Sequence, residues 1–265
     1  MNVLIVLAVI LFALMAWVGG MKGVRSFIAL FINFIIVLMA VFVMNDPSGN
    51  PIIIALIACG FISAVSLFFI NRFNNKTMLA FLATIATMVI LIFFIIILTE
   101  QSMIYGLGEE ESGEITTFNV HIGLNFVQIA TAVIIMSTIG AIVDTAISIT
   151  SPLREIHEQN PEISKKDLFL AGINIGRDIL GTSTNTLFFA FFGGYMGLLI
   201  WFKDLDYSIG DIINAKVFND EMLTIFISGI GIALVIPIAS LMSAYYLKRK
   251  KKKEASNENE QIEQN

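Results

Sequence analysis

Thiol, imidazole and charge are scarce in this chain, and each scarcity removes a class of function. Cys59 is the sole cysteine, so neither an intrachain disulfide nor a thiolate metal cluster can form. Inside an apolar run it reads as a small packing residue. The two histidines, His121 and His157, fall in connections on opposite sides of the topology derived below, which leaves neither a two-histidine metal site nor a serine–histidine pair. A phosphate-binding loop is missing too. Gly106, Gly108 and Gly113 surround Glu109, Glu110 and Glu111, but the Lys-Ser/Thr ending is absent and acid stands where phosphate would sit. No Lys or Arg precedes the first apolar run, and no small-x-small site ends it before Trp17 and Gly19-Gly20. That run is therefore expected to stay as a helix rather than leave as a signal peptide. Charged residues amount to 14%, against roughly a quarter in soluble domains, which places the chain in a bilayer. The net charge of −5 sums acidic and basic connections that lie apart, and gives no reason to invoke nucleic acid.

Hydrocarbon fills the space. Hydrophobic residues make up 57% of the chain and mean hydropathy is +0.84. Seven apolar stretches approach or exceed the roughly 20 helical residues that cross a hydrocarbon core: 3–18, 24–44, 51–70, 78–98, 122–143, 179–202 and 222–247. Lys22 and Arg25 follow the first, Arg72 and Lys76 the third, Arg154, Lys165 and Lys166 the fifth, and Lys248 to Lys253 with Arg249 the seventh. Basic connections stay on the cytoplasmic side, so the alternation predicts an all-α membrane protein. Its architecture is a polytopic bundle of seven transmembrane helices, N-terminus outside and C-terminus inside, in one domain over residues 1–247. The lipid bilayer is its first partner. A basic and then polar cytoplasmic tail over 248–265 is expected to anchor at anionic headgroups and continue as disordered chain. Tyr245, Tyr246 and Trp201 suit interfacial belts.

Smaller features of the apolar segments carry their own expectations. Asn33 is the clearest polar exception in the first half, read either as interhelical glue or as part of a polar pathway. Thr84 and Thr87 can bond their own helix's carbonyls. The acidic connection over 99–120 reads as a solvated turn, or as a weak divalent-cation binder. Gly193 and Gly197 form a small-xxx-small face suited to close packing, while Gly229, Gly231 and Pro237 suggest a locally bent last helix.

Two polar clusters interrupt the hydrocarbon. If the fifth segment continues past Val143, Asp144, Ser148 and Ser151 fall at i, i+4 and i+7 on one helix face, and Pro152 then ends or bends it. On the next segment Asn174, Asp178, Gly181 and Asn185 recur at i, i+4, i+7 and i+11, with Thr182 and Thr186 along the same edge and Arg177 beside them. Antiparallel packing would bring the two faces together and allow an Asp144–Arg177 pair. Residues 167–202 would make a helix of about 54 Å, too long for one perpendicular span. Either 167–176 lies at the interface and Arg177 snorkels, or the helix breaks near Gly176 and Gly181 inside the membrane. The five successive polar residues from Thr182 to Thr186 cover every face of a helix, so one packing contact cannot hide them all.

The run Gly-Ala-Ile-Val-Asp-Thr-Ala-Ile-Ser-Ile-Thr-Ser from Gly140 to Ser151 is followed by Asn-Ile-Gly-Arg-Asp-Ile-Leu-Gly-Thr-Ser-Thr-Asn-Thr from Asn174 to Thr186. This spaced pair resembles the YibE/F family of bacterial multipass membrane proteins, most closely over residues 122–202. The resemblance implies a bacterial plasma-membrane protein of the shorter, YibF-like type, without the extracytoplasmic segment of longer members. It also implies a longer YibE-like membrane protein as a partner, with a homo-oligomer as the other assembly. Intramembrane acids and amides point to a permease, or a permease subunit, for a solute or ion. The path would be lined by Asp144, Ser148, Asn174, Arg177, Asp178, Thr182, Asn185 and Thr186. A non-transporting assembly or signalling subunit that holds its partner through the same stripe is the alternative. Asp144 and Asp178 could in principle form a carboxylate dyad, but Gly176-Arg177-Asp178 lacks the glycine directly before the aspartate of Gly-x-Gly-Asp proteases. No enzymatic activity and no cofactor are expected.

Overall fold

The computed structural model describes residues 3–46, 48–102 and 125–263, and every long element in it is helical. Most of the acidic connection and His121 lie outside the described residues. The helices are α1 (Val3–Met44), α2 (Pro51–Ala64), α3 (Asn75–Ser102), α4 (Phe126–Gln159), α5 (Lys165–Gly194), α6 (Met196–Asp204), α7 (Ile209–Asn214) and α8 (Lys216–Glu263). A π-helical turn over Val65–Phe69 extends α2. Five of these are long and apolar enough to cross a membrane, and the α5–α6 pair, bent by 53°, makes a sixth.

The count differs from seven because the first two expected segments meet without a loop. Gly20 sits inside α1 at φ 54°, ψ −138°, a conformation that a side chain would strain. The chain folds back there. Phe12 and Phe27 meet with ring centroids 5.0 Å apart, although fifteen residues of straight helix would separate them by about 22 Å. Gly23 passes so close to the first half that a Cβ on it would lie 1.8 Å from the Met15 carbonyl oxygen. α1 is thus a hairpin of two apolar helices.

α4 and α8 form the centre. Ile134, Ile135, Ile139, Ile142 and Ile149 of α4 are buried with Ile232, Val235 and Ala239 of α8, and Leu91 and Ile95 of α3 close the layer. Polar groups in this core are largely satisfied. Thr87, Thr99 and Thr138 donate to carbonyls one turn back at 2.7–2.8 Å, and Ser228 donates to Thr138 at 3.2 Å. Thr84 does not follow Thr87: its hydroxyl is buried without a hydrogen bond.

Helix boundaries expected at Pro152 and near Gly176 and Gly181 do not appear. α4 runs through Pro152 to Gln159, because the ring at Pro152 withholds one N–H, from the Ser148 carbonyl, while the packing of Ile149 and Leu153 on either side holds the helix. α5 runs unbroken past Gly176 and Gly181 and bends only at Tyr195. Close packing accounts for the glycines instead: a Cβ at Gly172 would meet Ser240 Oγ at 2.4 Å, and one at Gly176 would meet Ile236 Cγ2 at 2.2 Å, both on α8. Gly193 and Gly197 have no neighbour within 4 Å of such an atom, so the small-xxx-small contact belongs to Gly172 and Gly176. The backbone of α8 is helical to Glu263, past Leu247 into the basic and polar tail. Lys, Arg, Glu, Gln and Ala dominate that stretch, and all are good helix formers.

The basic connections gather at one end of the bundle. Lys76 Nζ donates to Ser151 Oγ at 3.1 Å, Lys248 Nζ donates to the Pro161 carbonyl at 2.9 Å, and Lys165 stands 4.9 Å over the Tyr245 ring. At the opposite end α7 opens with a capping box between Ser208 and Asp211. Hydrogen bonds from the Ser208 side chain and backbone hold the Asp211 carboxyl below its ordinary value. A depressed folded-state pKa means the cap is complete above the ordinary carboxylate range and is lost as pH falls through the lowered value. Ser208→Ala should raise the Asp211 titration midpoint toward that of a free aspartate, measured by NMR; an unchanged midpoint would count against the box.

Candidate functional site

The two polar clusters separate in the fold. Asp144, Ser148 and Ser151 face the hairpin of α1 and the π-helical end of α2, where they line an open cavity of about 700 Å³. The second half of α1 supplies Lys22, Ser26 and Asn33, and the far side is Ser66 and Asn71. The π turn widens the helix at the level of Ser66. Asn33 Nδ2 donates to Ser66 Oγ at 3.2 Å, so Asn33 does join two helices. Its Oδ1 is buried without a hydrogen bond and remains an acceptor at the cavity wall. Pro152 adds another, since it has no N–H to give the Ser148 carbonyl. A cation, a carboxylate, amides and hydroxyls therefore surround one space. No ion pair joins Lys22 to Asp144 among the described residues, and each is open to a ligand or water.

Asn174, Arg177, Asp178, Thr182, Asn185 and Thr186 lie elsewhere. All six are exposed on α5, on the side opposite the buried Gly172 and Gly176, and none of them lines the Asp144 cavity. The expected meeting of the two faces does not occur, and no Asp144–Arg177 ion pair forms among the described residues. α5 meets α8 through its glycine edge, which turns the polar edge outward. Gly181 and Asn185 border a shallow, mostly apolar groove that α5 shares with Phe226 and Ile230 of α8.

Register against α8 sets the position of the stripe along the bundle. Lys165 is level with Tyr245, Gly172 with Ser240, Gly176 with Ile236 and Thr184 with Gly229. Nine residues of helix separate Tyr245 from Ile236, about 13 Å, and a hydrocarbon core is about 30 Å thick. Arg177 and Asp178, next to Gly176, therefore lie about 13 Å along the bundle from Tyr245. Among the described residues Arg177 Nη1 donates to Asn174 Oδ1, at 3.5 Å.

The family model described as YibE/F-like protein matches residues 7–249. This chain belongs to the YibE/F family. No curated protein and no solved structure matches it. The family match extends well beyond the two motifs to α1 and α8, so the YibE/F region contains every wall of the cavity. Sequence reasoning reaches Asp144, Ser148 and Asn33 but misses Lys22, Ser26, Ser66 and Asn71. A signal is present: Lys22, Ser26 and Asn33 stand at i, i+4 and i+11, the spacing that singles out Asn174, Asp178 and Asn185. Lys22 also serves as a topology signal, and that role hides its place on the face.

Proposed function

We propose that this integral membrane protein is a permease, or a permease subunit, whose solute or ion site is the cavity around Asp144. The observation that carries this reading is a carboxylate that shares one open cavity between apolar helices with a lysine, amides and hydroxyls. Ionisable groups at membrane depth are costly unless they face water, a partner or a transported species. Lys22, Asn71 and Ser151 lie toward the end where Lys76 and Arg154 gather, which we take as the cytoplasmic side of a bacterial plasma membrane. Counting the α1 hairpin as two spans and α5–α6 as one gives seven, with the N-terminus outside. Opposite charges, hydroxyls and amides suit a small solute or ion that both donates to Asp144 and accepts from Lys22. Asp144 has a binding role here, and no bond-breaking step is assigned to it.

Water access tests the reading. In a Cys59→Ala background, Ser148→Cys should react with a small hydrophilic thiol reagent in intact membranes about tenfold faster than Val89→Cys on the lipid-facing side of α3, a contrast of about 1.4 kcal/mol in access. Equal, negligible labelling of both would remove the aqueous path. Asp144→Asn should then retain insertion and lose ion or solute flux in reconstituted vesicles. The outward stripe on α5 favours a second role, assembly, because it takes no part in the cavity.

A further inference from the structure

We infer that the α5 stripe is the interface between two copies of this chain, related by a two-fold axis normal to the membrane. The inference deepens the assembly role proposed for the stripe and names its partner. Asn174, Arg177, Asp178, Thr182 and Asn185 are exposed at a depth where lipid tails offer no hydrogen bonds. With Tyr245 at the headgroup boundary Arg177 and Asp178 lie within the hydrocarbon, side by side and with no ion pair among the described residues, so a covering surface that presents an acid to the one and a base to the other satisfies both. A second copy of the same stripe does so. Along α5 the 100° helical step places Asp178, Gly181 and Asn185 close to the centre of the exposed face, Arg177 on one edge and Thr182 on the other.

A two-fold axis parallel to two such helices sets each edge against the opposite edge of its partner, at one depth. Asp178, near the centre, then meets its own copy across the axis, as Asn185 does, and Arg177 of each copy reaches in from its edge to Asp178 of the other, so that two guanidiniums flank two carboxylates. The centre of the face is open for the approach: a Cβ at Gly181 would meet nothing within 4 Å. The symmetry makes two Arg177–Asp178 pairs, which neutralise the four charges at the axis, and the helices can come close where the glycine lies.

Cross-linking in native membranes tests the inference. In the Cys59→Ala background, mild oxidation should join two chains through Asn185→Cys about tenfold more than through Val89→Cys, on the scale of a few interhelical contacts. Equal yields at the two positions would overturn a symmetric dimer. Charge exchange gives an independent readout. Copies carrying Asp178→Arg alone, or Arg177→Asp alone, should each lose the Asn185→Cys cross-link, because like charges then face each other. Co-expressed with different tags, the two should cross-link with each other, since a stripe bearing two cations then meets a stripe bearing two anions. Failure of the mixed pair with both copies inserted overturns the second copy as partner. If Asn185→Cys is also shielded from hydrophilic reagents, the assembly role stands with a different protein. If it is freely labelled, the stripe lines water and the assembly role falls with it.

Discussion

Gly176→Val should destabilise the bundle by about 1–3 kcal/mol, the usual cost of forcing extra volume into a packed interior, and the loss should appear as a lower melting temperature in detergent. The neighbour is Ile236 Cγ2, 2.2 Å from the added Cβ position. Ile236 is β-branched, so its methyl cannot swing aside without leaving its preferred rotamer. α5 must therefore move away from α8, taking the stripe out of register. Two controls make the expectation specific. Gly181→Val on the same helix meets open space and should leave the melting temperature nearly unchanged while abolishing the Asn185→Cys cross-link. Gly176→Ala combined with Ile236→Ala should recover most of what Gly176→Ala alone loses, a coupling that a double-mutant cycle measures. A Gly176→Val protein as stable as its parent would contradict the close approach of α5 and α8.

Gly23→Ala is expected to be worse, although the residue is smaller. Its Cβ would lie 1.8 Å from the Met15 carbonyl oxygen and 2.6 Å from the carbonyl carbon. Backbone has no rotamer to change, so no second substitution relieves the clash and the hairpin must open, at a cost at or above the top of the roughly 3 kcal/mol overpacking range. A short bifunctional thiol reagent should bridge Phe12→Cys to Phe27→Cys in the parent background and fail in Gly23→Ala. Met15 also borders the cavity, so opening the hairpin should speed labelling of Ser148→Cys. An undiminished bridge in Gly23→Ala would mean that the two halves of α1 do not touch as described.

Much of the fold is legible without coordinates. Apolar length locates every long helix. The gathering of Lys22, Lys76, Lys165 and Lys248 at one end follows from the alternation of basic connections. Boundaries read from Gly and Pro are less faithful. Pro152, Gly176 and Gly181 all sit inside continuous helices, because packing on both sides of a helix outweighs the local preference of one residue. Gly20 goes the other way: a pair of glycines that reads as the end of a helix at the headgroups makes a sharp reversal.

The candidate site divides along the same line. Periodicity places Asp144, Ser148 and Ser151 on one face of α4, and Asn174, Asp178 and Asn185 on one face of α5. These are properties of a 3.6-residue helix and need no neighbours. What each face meets is a long-range property, set by which pairs of helices approach closely. The backbone approach at Gly172 and Gly176 locks α5 to α8 and turns its polar edge away from α4, while the hairpin at Gly20 brings Lys22, Ser26 and Asn33 opposite Asp144. Residue order alone is enough for a helical membrane protein of the YibE/F type with two polar faces. That one face encloses a cavity and the other points outward emerges only when the helices pack, because the rotation of a helix about its own axis is fixed by the side chains it meets and not by the order of residues along it.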